Sequence, residues 1–386
     1  MSQNSASAAE TAQPPVLAAN AFDIANMQLA LAMGKRGLGR CWPNPAVGAV
    51  IADPSSQHII SCASTSPGGR PHAEATALAH AGEAARGATL YVTLEPCSHW
   101  GRTPPCADAT IAAGIARVVY GVADPDPRVS GDGLERLRAH GIEVVETPLA
   151  REARWLTLGH ILRVTERRPF VQIKLATDAN GSIPAGDGAP VWISGEEARA
   201  NGHLLRTKAD AILVGHGTLR TDNPQLTCRL PGLEAHSPVR VVLARDASFP
   251  QTPQMFKSLN IAPVWVFCET NAPPENIARL NAAGAECIPL SPQSDGRLPL
   301  TEVLAELAER GITRLMVEGG PTVTESFFQA DLADEVIIFQ SAEILRVPGL
   351  NMPAGLAQIA ELPHYSIVET RNFGSDRMTA YRRTAV

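Results

Sequence analysis

Short apolar runs of strand length alternate with stretches of helical periodicity twice along this chain, which restricts it to sheets covered by helices. In the first series, strands fit Val47–Ala52, Ala88–Thr93, Arg117–Gly121 and Ile142–Val145. Helices fit His72–Arg86, Cys106–Ala113 and Gly131–His140. Ahead of them, Asn20-Ala-Phe-Asp23 reads as a helix start, an N-cap with an acid three residues on, and Ile24, Met27 and Leu31 fall on one face. The second series begins at Pro169. Its strands fit Phe170–Leu175, Ala211–Gly215, Val239–Leu243, Val264–Phe267, Arg314–Val317 and Glu335–Phe339. Its helices fit Glu196–Thr207, Glu275–Ala283, Thr301–Arg310 and Thr322–Ala330. Between the series, Thr147–Arg168 is a mixed helical stretch with several arginines. At 386 residues the chain exceeds what one core usually serves. The reading is a disordered tail over 1–20, an α/β domain over 21–146, a junction over 147–168 and a second α/β domain over 169–386.

Composition narrows the function. A net charge of -6 argues against a chain that lives on phosphate backbones, so no nucleic-acid partner is expected. The Ser-, Ala-, Asn- and Pro-rich first twenty residues lack the basic start and apolar core of a secretory signal. No run approaches the roughly 18 apolar residues that span a bilayer, so no membrane partner is expected either. Cys41, Cys62, Cys97, Cys106, Cys228, Cys268 and Cys287 are odd in number and scattered, which suits a cytoplasmic enzyme better than a disulfide framework. The sequence leaves a homo-oligomer open.

Pro71-His72-Ala73-Glu74, then Glu95-Pro96-Cys97, then Cys106 form the most informative constellation. His-x-Glu followed by Pro-Cys and a second Cys is the pattern of zinc deaminases acting on nucleobase-type rings. Zinc takes N and S ligands in a tetrahedron, and a catalytic site leaves the fourth position to water, whose pKa the metal lowers to about 7. His72, Cys97 and Cys106 are the expected ligands. Glu74, two residues past His72 at a helix start, is then the proton shuttle. Both cysteines are expected just ahead of helices, where thiolates are favoured. A closed structural site would instead need a fourth ligand, for which His99 is the candidate, and would leave Glu74 without a role.

Eight residues separate the two cysteines, and the run from Thr93 to Cys106 reads Thr-Leu-Glu-Pro-Cys-Ser-His-Trp-Gly-Arg-Thr-Pro-Pro-Cys. With Pro43-Asn44-Pro45, His72–Glu74, Asp124-Pro125-Asp126-Pro127 and Gly131, this half closely resembles the bifunctional deaminase–reductases of riboflavin biosynthesis. The resemblance implies a cytidine-deaminase-like fold here. It also implies a first reaction that removes the 2-amino group of a diaminopyrimidinone carrying a phosphoribosylamino arm. Asn44 is a candidate substrate contact, with an Asx-type turn before Pro45 as the other reading. Ser61–Ser66 lacks the aromatic or histidine expected upstream of Pro71, which leaves the outer wall of the pocket unassigned.

In the second half, Glu318-Gly319-Gly320-Pro321 follows an apolar strand and opens a helix with Pro in its first turn. Such a turn lets backbone N–H groups approach a phosphate, although a Gly-Gly at a strand end is often only a tight turn. No Gly-x-Gly-x-x-Gly follows a strand, so a Rossmann dinucleotide site is not expected. The resemblance extends over Lys174-Leu175-Ala176, Trp192-Ile193-Ser194, Leu205-Arg206, Asp210–Gly215, Gly217-Thr218, Asp222-Asn223-Pro224, Leu226-Thr227, Arg229 and Val317–Pro321. It implies a dihydrofolate-reductase-like domain that uses NADPH to convert the ribosyl arm to ribityl. By resemblance, Ala176, Trp192, Thr218, Asp222, Gly320, Pro321, Thr322, Val323, Thr324, Glu325 and Ser326 contact NADPH. Arg206, Leu226, Arg229 and Glu318 likewise contact substrate. Arginines suit its phosphate because their fork binds oxygens in pairs, with surface ion pairing as the other reading of a helical Arg. Asp178, Asn180, Pro190 and Ala244 depart from the family pattern. Asp178, Asn180 and Pro190 support a rival reading, in which 169–386 is a non-catalytic binding or dimerisation module, while the retained Lys174, Asp222, Arg229 and Glu318 oppose it. A tRNA or free-base deaminase would predict a basic face and a short Cys-x-x-Cys, and the sequence has neither.

Overall fold

Asn20 starts the first helix as its spacing predicts. In the computed structural model its side chain accepts from the Asp23 N–H at 2.8 Å, and Asp23 reaches back to the Asn20 N–H, capping α1 (Ala21–Lys35). The structure describes residues 20–384 apart from 102, 103, 127, 128, 185–191 and 346–348, so the tail 1–19 and Pro190 lie outside the described residues. The first half continues with β1 (Gly48–Asp53), β2 (His58–Ser64), α2 (Ala73–Ala81), β3 (Thr89–Val92), α3 (Cys106–Ala112), β4 (Arg117–Tyr120), α4 (Asp132–Ala139) and β5 (Glu143–Glu146). Its sheet runs β2-β1-β3-β4-β5, with the last three strands parallel. β1 has no polar face because helices cover both sides. Val50 and Ala52 meet Met27, Ala30 and Leu31 of α1, whereas Ala49 and Ile51 meet Ala73 and Ala77 of α2. The pattern did not reveal β2, whose first two residues are exposed and whose polar and apolar positions do not alternate.

α5 (Ala150–Thr165) fills the junction as one helix. Its Ala153 and Leu156 pack into the first core, and Leu158, Ile161 and Leu162 pack on Phe170 of the second half. Gly159 permits the close approach: a Cβ there would lie 2.3 Å from the Thr313 carbonyl oxygen. Arg163 Nε donates to the Ala308 carbonyl at 2.7 Å and its Nη1 to the Pro43 carbonyl at 3.1 Å. Trp42 packs against the core of the second half. The two halves therefore meet through buried side chains around the loop that carries Asn44.

The second half comprises β6 (Phe170–Thr177), β7 (Ser182–Pro184), α6 (Glu196–Arg206), β8 (Ala211–Gly215), α7 (His216–Asp222), β9 (Val239–Leu243), β10 (Val264–Glu269), α8 (Pro274–Ala282), β11 (Glu286–Leu290), α9 (Leu300–Glu309), β12 (Arg314–Val317), α10 (Pro321–Gln329), β13 (Glu335–Gln340), β14 (Gly349–Asn351), α11 (Ala354–Ala357), β15 (Tyr365–Phe373) and β16 (Asp376–Arg383). Nine strands form one sheet in the order β11-β10-β9-β8-β12-β6-β13-β16-β15, parallel up to β13 and antiparallel beyond. On one face Val171, Ile173 and Val317 meet Val303, Leu304 and Leu307 of α9 and Phe327 of α10. On the other, Ile212, Val214 and Val242 meet Leu219, Met255 and Leu280. The ends of parallel strands β6, β8 and β12 converge on one edge, where open sheets of this kind bind ligands. No helix among the described residues is long and apolar enough to cross a membrane.

Candidate active sites

His72, the N-cap residue of α2, projects its ring toward the loop after β3 and the first turn of α3. Its Nδ1 lies 3.7 Å from Cys97 Sγ and 3.4 Å from Cys106 Sγ. A tetrahedral zinc with bonds of about 2.3 Å to sulfur and 2.0–2.1 Å to nitrogen needs S···N separations of about 3.6 Å, so the three donors fit that ion. Among the described residues they are the one His/Cys/Asp/Glu group placed to hold a metal, and His99 is not part of it. Cys106 opens α3 as expected, but Cys97 does not precede a helix. It sits in the loop, and α3 reaches it from across the site, since the Cys106 N–H donates to Cys97 Sγ at 3.3 Å. The Cys106 thiol's hydrogen bond draws the Cys97 thiol down to about 4, against burial, with His72 assisting. The same bond, with burial, pushes Cys106 well up. Cysteines bind zinc as thiolates, so a divalent cation held here would displace their protons.

Glu74, in the first turn of α2, is 4% exposed and lines the same cavity. Burial pushes its carboxyl up to about 7, with His72 acting in the opposite direction. A carboxyl poised there exchanges a proton readily at neutral pH. The cavity of about 380 Å³ is also lined by Asn44, Arg70, Glu95, Asp124 and His160. Asn44 Nδ2 donates to the Gly69 carbonyl at 2.8 Å and lies 3.4 Å from His72 Nε2, and no described residue hydrogen-bonds its Oδ1. Glu95 belongs to the motif, but the sequence assigned it no role. Its buried carboxylate accepts from the Asp124, Gly131 and Gly133 N–H groups, each at 3.2 Å, and this ties the loop of Cys97 to α4. Of Ser61–Ser66 only Thr65 lines the cavity; Arg163 and Val164 of α5 and Ala305 and Ala308 of α9 line it as well.

A second cleft, of about 1410 Å³, opens at the strand ends of the second half. Ala176, Trp192, Thr218, Asp222, Gly320, Pro321, Thr322, Val323 and Ser326 line it, as do Arg206, Leu226, Arg229 and Glu318. Thr324 and Glu325 do not. Thr324 is fully buried on the inner face of α10, and Glu325 accepts from Gln329 along the outer face. Gly320 caps α10, its N–H held by Thr218 Oγ1 at 2.8 Å, and no acidic residue stands in the first turn. Gly215 lets that turn approach β8, since a Cβ there would lie 2.5 Å from Val323 Cγ2. Trp192 is 68% exposed, with the Arg199 guanidinium over its ring at 5.0 Å, a flat surface on which a base could stack. The N-terminal turn of α10 and this ring suit a phosphate and an aromatic ring, the two chemistries of a nicotinamide dinucleotide.

Arg206 does not face the cleft as a free cation. Its Nε and Nη2 donate to the two Glu318 oxygens at 2.8 and 2.9 Å, and its Nη1 donates to the Thr227 carbonyl at 2.9 Å. Lys174 Nζ lies 3.5 Å from Glu318. Burial alone would raise the Glu318 carboxyl, but Arg206 and then Lys174 hold it down at about 2. Among the described residues no carboxylate hydrogen-bonds the guanidinium of Arg229, which lines the cleft. Of the altered positions, Asp178 turns inward. Its carboxylate accepts from the Asn180, Ser182 and Leu345 N–H groups and organises the turn rather than the cleft. Ala244 is fully buried.

Two family models match the chain: the cytidine and deoxycytidylate deaminase zinc-binding region over residues 21–122, and the RibD C-terminal domain over residues 169–376. The riboflavin biosynthesis protein RibD of Aquifex aeolicus is 37% identical over 358 residues, covering 92% of this chain and 97% of the relative. That of Escherichia coli is 36% identical over 367 residues, covering 91% and 96%. Among solved structures, a diaminohydroxyphosphoribosylaminopyrimidine deaminase/5-amino-6-(5-phosphoribosylamino)uracil reductase from Thermotoga maritima matches with a TM-score of 0.80 at 38% identity, covering 94% of this chain and 99% of that one. Acinetobacter baumannii RibD matches with a TM-score of 0.81 at 30% identity and the same coverage.

Proposed function

The chain belongs to the RibD family of bifunctional riboflavin-biosynthesis deaminase–reductases, and on that premise we propose which of its residues carry each reaction. It deaminates 2,5-diamino-6-(5-phosphoribosylamino)pyrimidin-4(3H)-one hydrolytically with zinc, then reduces the ribosyl arm to ribityl with NADPH. The rival reading of residues 169–386 as a non-catalytic module is not favoured. The division we adopt is residues 21–146 for the deaminase, 147–168 for the junction and 169–386 for the reductase. Seven cysteines without a disulfide support a cytoplasmic location.

In the first site His72, Cys97 and Cys106 hold the zinc, which when bound supplies a Lewis acid able to make water a nucleophile near neutral pH. Glu74 takes the proton of the attacking water and returns it to the departing amino group, work suited to a buried carboxyl near 7. Asn44 offers its Oδ1 to the pyrimidine, and the cavity walls from α5 and α9 shield it from bulk water.

In the second site NADPH, when bound, supplies the hydride. The Gly320 turn and Val323 receive its phosphates, and Trp192 offers a face to one of its rings. Arg229 binds the substrate phosphate, while Arg206 and Lys174 keep Glu318 ionised and aimed at the sugar arm. The observation that carries the whole reading is the His72, Cys97 and Cys106 triad with Glu74 buried beside it. Its test is Glu74→Gln, which should keep the zinc and lose deamination by a factor on the order of 10² or more. Loss of the metal in that variant would make Glu74 a ligand and remove its proposed role.

A further inference from the structure

The end of the junction helix carries an arginine whose backbone conformation does not favour it and whose charge the fold leaves unused. Arg167 follows Glu166, the C-cap of α5, with φ at 56°, the left-handed conformation in which helices usually place a glycine. A side chain kept at such a position points to a use for it. Its neighbours are already engaged. Arg163 donates to the Ala308 and Pro43 carbonyls. Arg168 forks onto the two Asp334 oxygens at 2.7 and 2.9 Å, and its Nε donates to Glu166 at 2.7 Å. Among the described residues nothing hydrogen-bonds or ion-pairs with the Arg167 guanidinium, although Glu309 lines the same cavity. Arg167 is exposed and lines the zinc cavity, which places it at the mouth. It also falls between the segments matched by the two family models.

We propose that Arg167 binds the phosphate of the phosphoribosylamino arm while the substrate occupies the deaminase site. The ring must reach His72, Cys97, Cys106 and the buried Glu74, so the arm extends toward the mouth. Carboxyl groups crowd the interior, where Glu74, Glu95, Asp124 and Asp126 are all buried, and a phosphate is attracted outward, away from them. Of the other arginines of the cavity, Arg163 is committed to two carbonyls. Arg70 stands at the zinc end, two residues before His72 and beside Gly101 of the ligand loop. The Arg167 guanidinium offers a fork of donors to phosphate oxygens and breaks no ion pair to do so. Stabilising the carbonyl end of α5 is the alternative use of its charge, and Arg163 in the last turn already serves that end. The deaminase thereby takes its hold on the far end of the substrate from the junction between the two halves.

The proposal rests on the deaminase reading of this cavity, and the test separates the two. Ammonia release is measured on the full chain as wild type, Arg167→Gly and Arg167→Lys, with the substrate and with its dephosphorylated ribosylamino counterpart. Glycine is the residue a left-handed turn prefers, so Arg167→Gly should unfold at a denaturant concentration no lower than the wild type. NADPH oxidation with pre-deaminated substrate should also stay at the wild-type level. The KM for ammonia release from the phosphorylated substrate should nevertheless rise about tenfold in Arg167→Gly, the loss of one charged hydrogen bond, with kcat within about threefold. Arg167→Lys keeps the charge and should hold KM within about threefold of wild type. With the dephosphorylated compound Arg167→Gly should change KM by less than about twofold, because the partner of the missing group is gone. A KM within about twofold of wild type for the phosphorylated substrate in Arg167→Gly, or an equal rise with both compounds, overturns the proposal. If no chain turns over the dephosphorylated compound, inhibition of ammonia release by ribose 5-phosphate decides. Its inhibition constant should rise about tenfold in Arg167→Gly, and an unchanged constant refutes the role. Failure of the underlying reading would look different: the wild-type chain would release no ammonia.

Discussion

Arg206 and Arg229 stand in one cleft with the same charge, yet their replacement should have opposite consequences. Arg206→Ala strips Glu318 of both its short donors and leaves the Thr227 carbonyl without its own. Lys174, at 3.5 Å, is then the nearest cation, and the Glu318 side chain is only 12% exposed. Its carboxyl is held at about 2 against an ordinary 4.5. At about 1.4 kcal/mol per factor of ten, that depression corresponds to about 3 kcal/mol of stability. Breaking a buried pair from one side typically costs 3–5 kcal/mol, and Lys174 retains a share. Arg206→Ala should therefore destabilise the chain by about 2–3 kcal/mol at pH 7. The sign with pH follows from a depressed carboxyl. The contribution is complete above about pH 4.5 and is lost as pH falls through about 2, so the deficit of the variant should shrink toward pH 3. Arg229→Ala removes a guanidinium with no carboxylate partner, so stability should move by less than about 0.5 kcal/mol. Reduction should nevertheless weaken by roughly 1.5–3 kcal/mol for each charged hydrogen bond lost to the substrate phosphate. Denaturant unfolding at pH 7 and pH 3, paired with NADPH-oxidation kinetics, reads all of this. Equal stabilities for the two variants, or a deficit in Arg206→Ala that grows toward pH 3, would refute the division of labour.

One zinc should copurify per chain, and Cys97→Ala or Cys106→Ala should each lose it, which elemental analysis of the purified variants measures. Glu95→Ala removes the acceptor of three backbone N–H groups around the Cys97 loop. It should weaken zinc retention against a chelator by roughly 10–100-fold without altering NADPH oxidation.

The ligand set was legible in the sequence because zinc chemistry demands particular residue types in a fixed order, and His72, Cys97, Cys106 and Glu74 meet as that order implies. The central strands were legible because strands buried on both faces read as unbroken apolar runs, as in Gly48–Ala52 and Ala211–Gly215. β15 was not, since most of that edge strand is exposed and its sequence mixes Ser, Glu, Thr, Arg and Asn. Helix phase explains Thr324 and Glu325: a contiguous run from Gly320 to Ser326 cannot all face one cleft at 3.6 residues per turn. The ion pair of Arg206 was not legible for another reason. Its partner lies 112 residues away, and nothing local distinguishes an arginine that holds a carboxylate from one that awaits a phosphate. His160 lies on a helix whose two ends pack into different cores, so its contact with Asp124 was visible only once both halves were assembled.

Two chemically independent sites on one chain are the centre of this account, because hydrolysis at the zinc needs no nicotinamide and hydride transfer needs no zinc. The direct measurement follows ammonia release and NADPH oxidation separately in the wild type, Glu74→Gln and Arg229→Ala. Wild type should release ammonia without NADPH and oxidise NADPH once deaminated product is present. Glu74→Gln should still reduce pre-deaminated substrate, and Arg229→Ala should still release ammonia at the wild-type rate. A wild-type chain that releases ammonia but never oxidises NADPH with the deaminated product would contradict the account. So would a Glu74→Gln chain that loses both activities together.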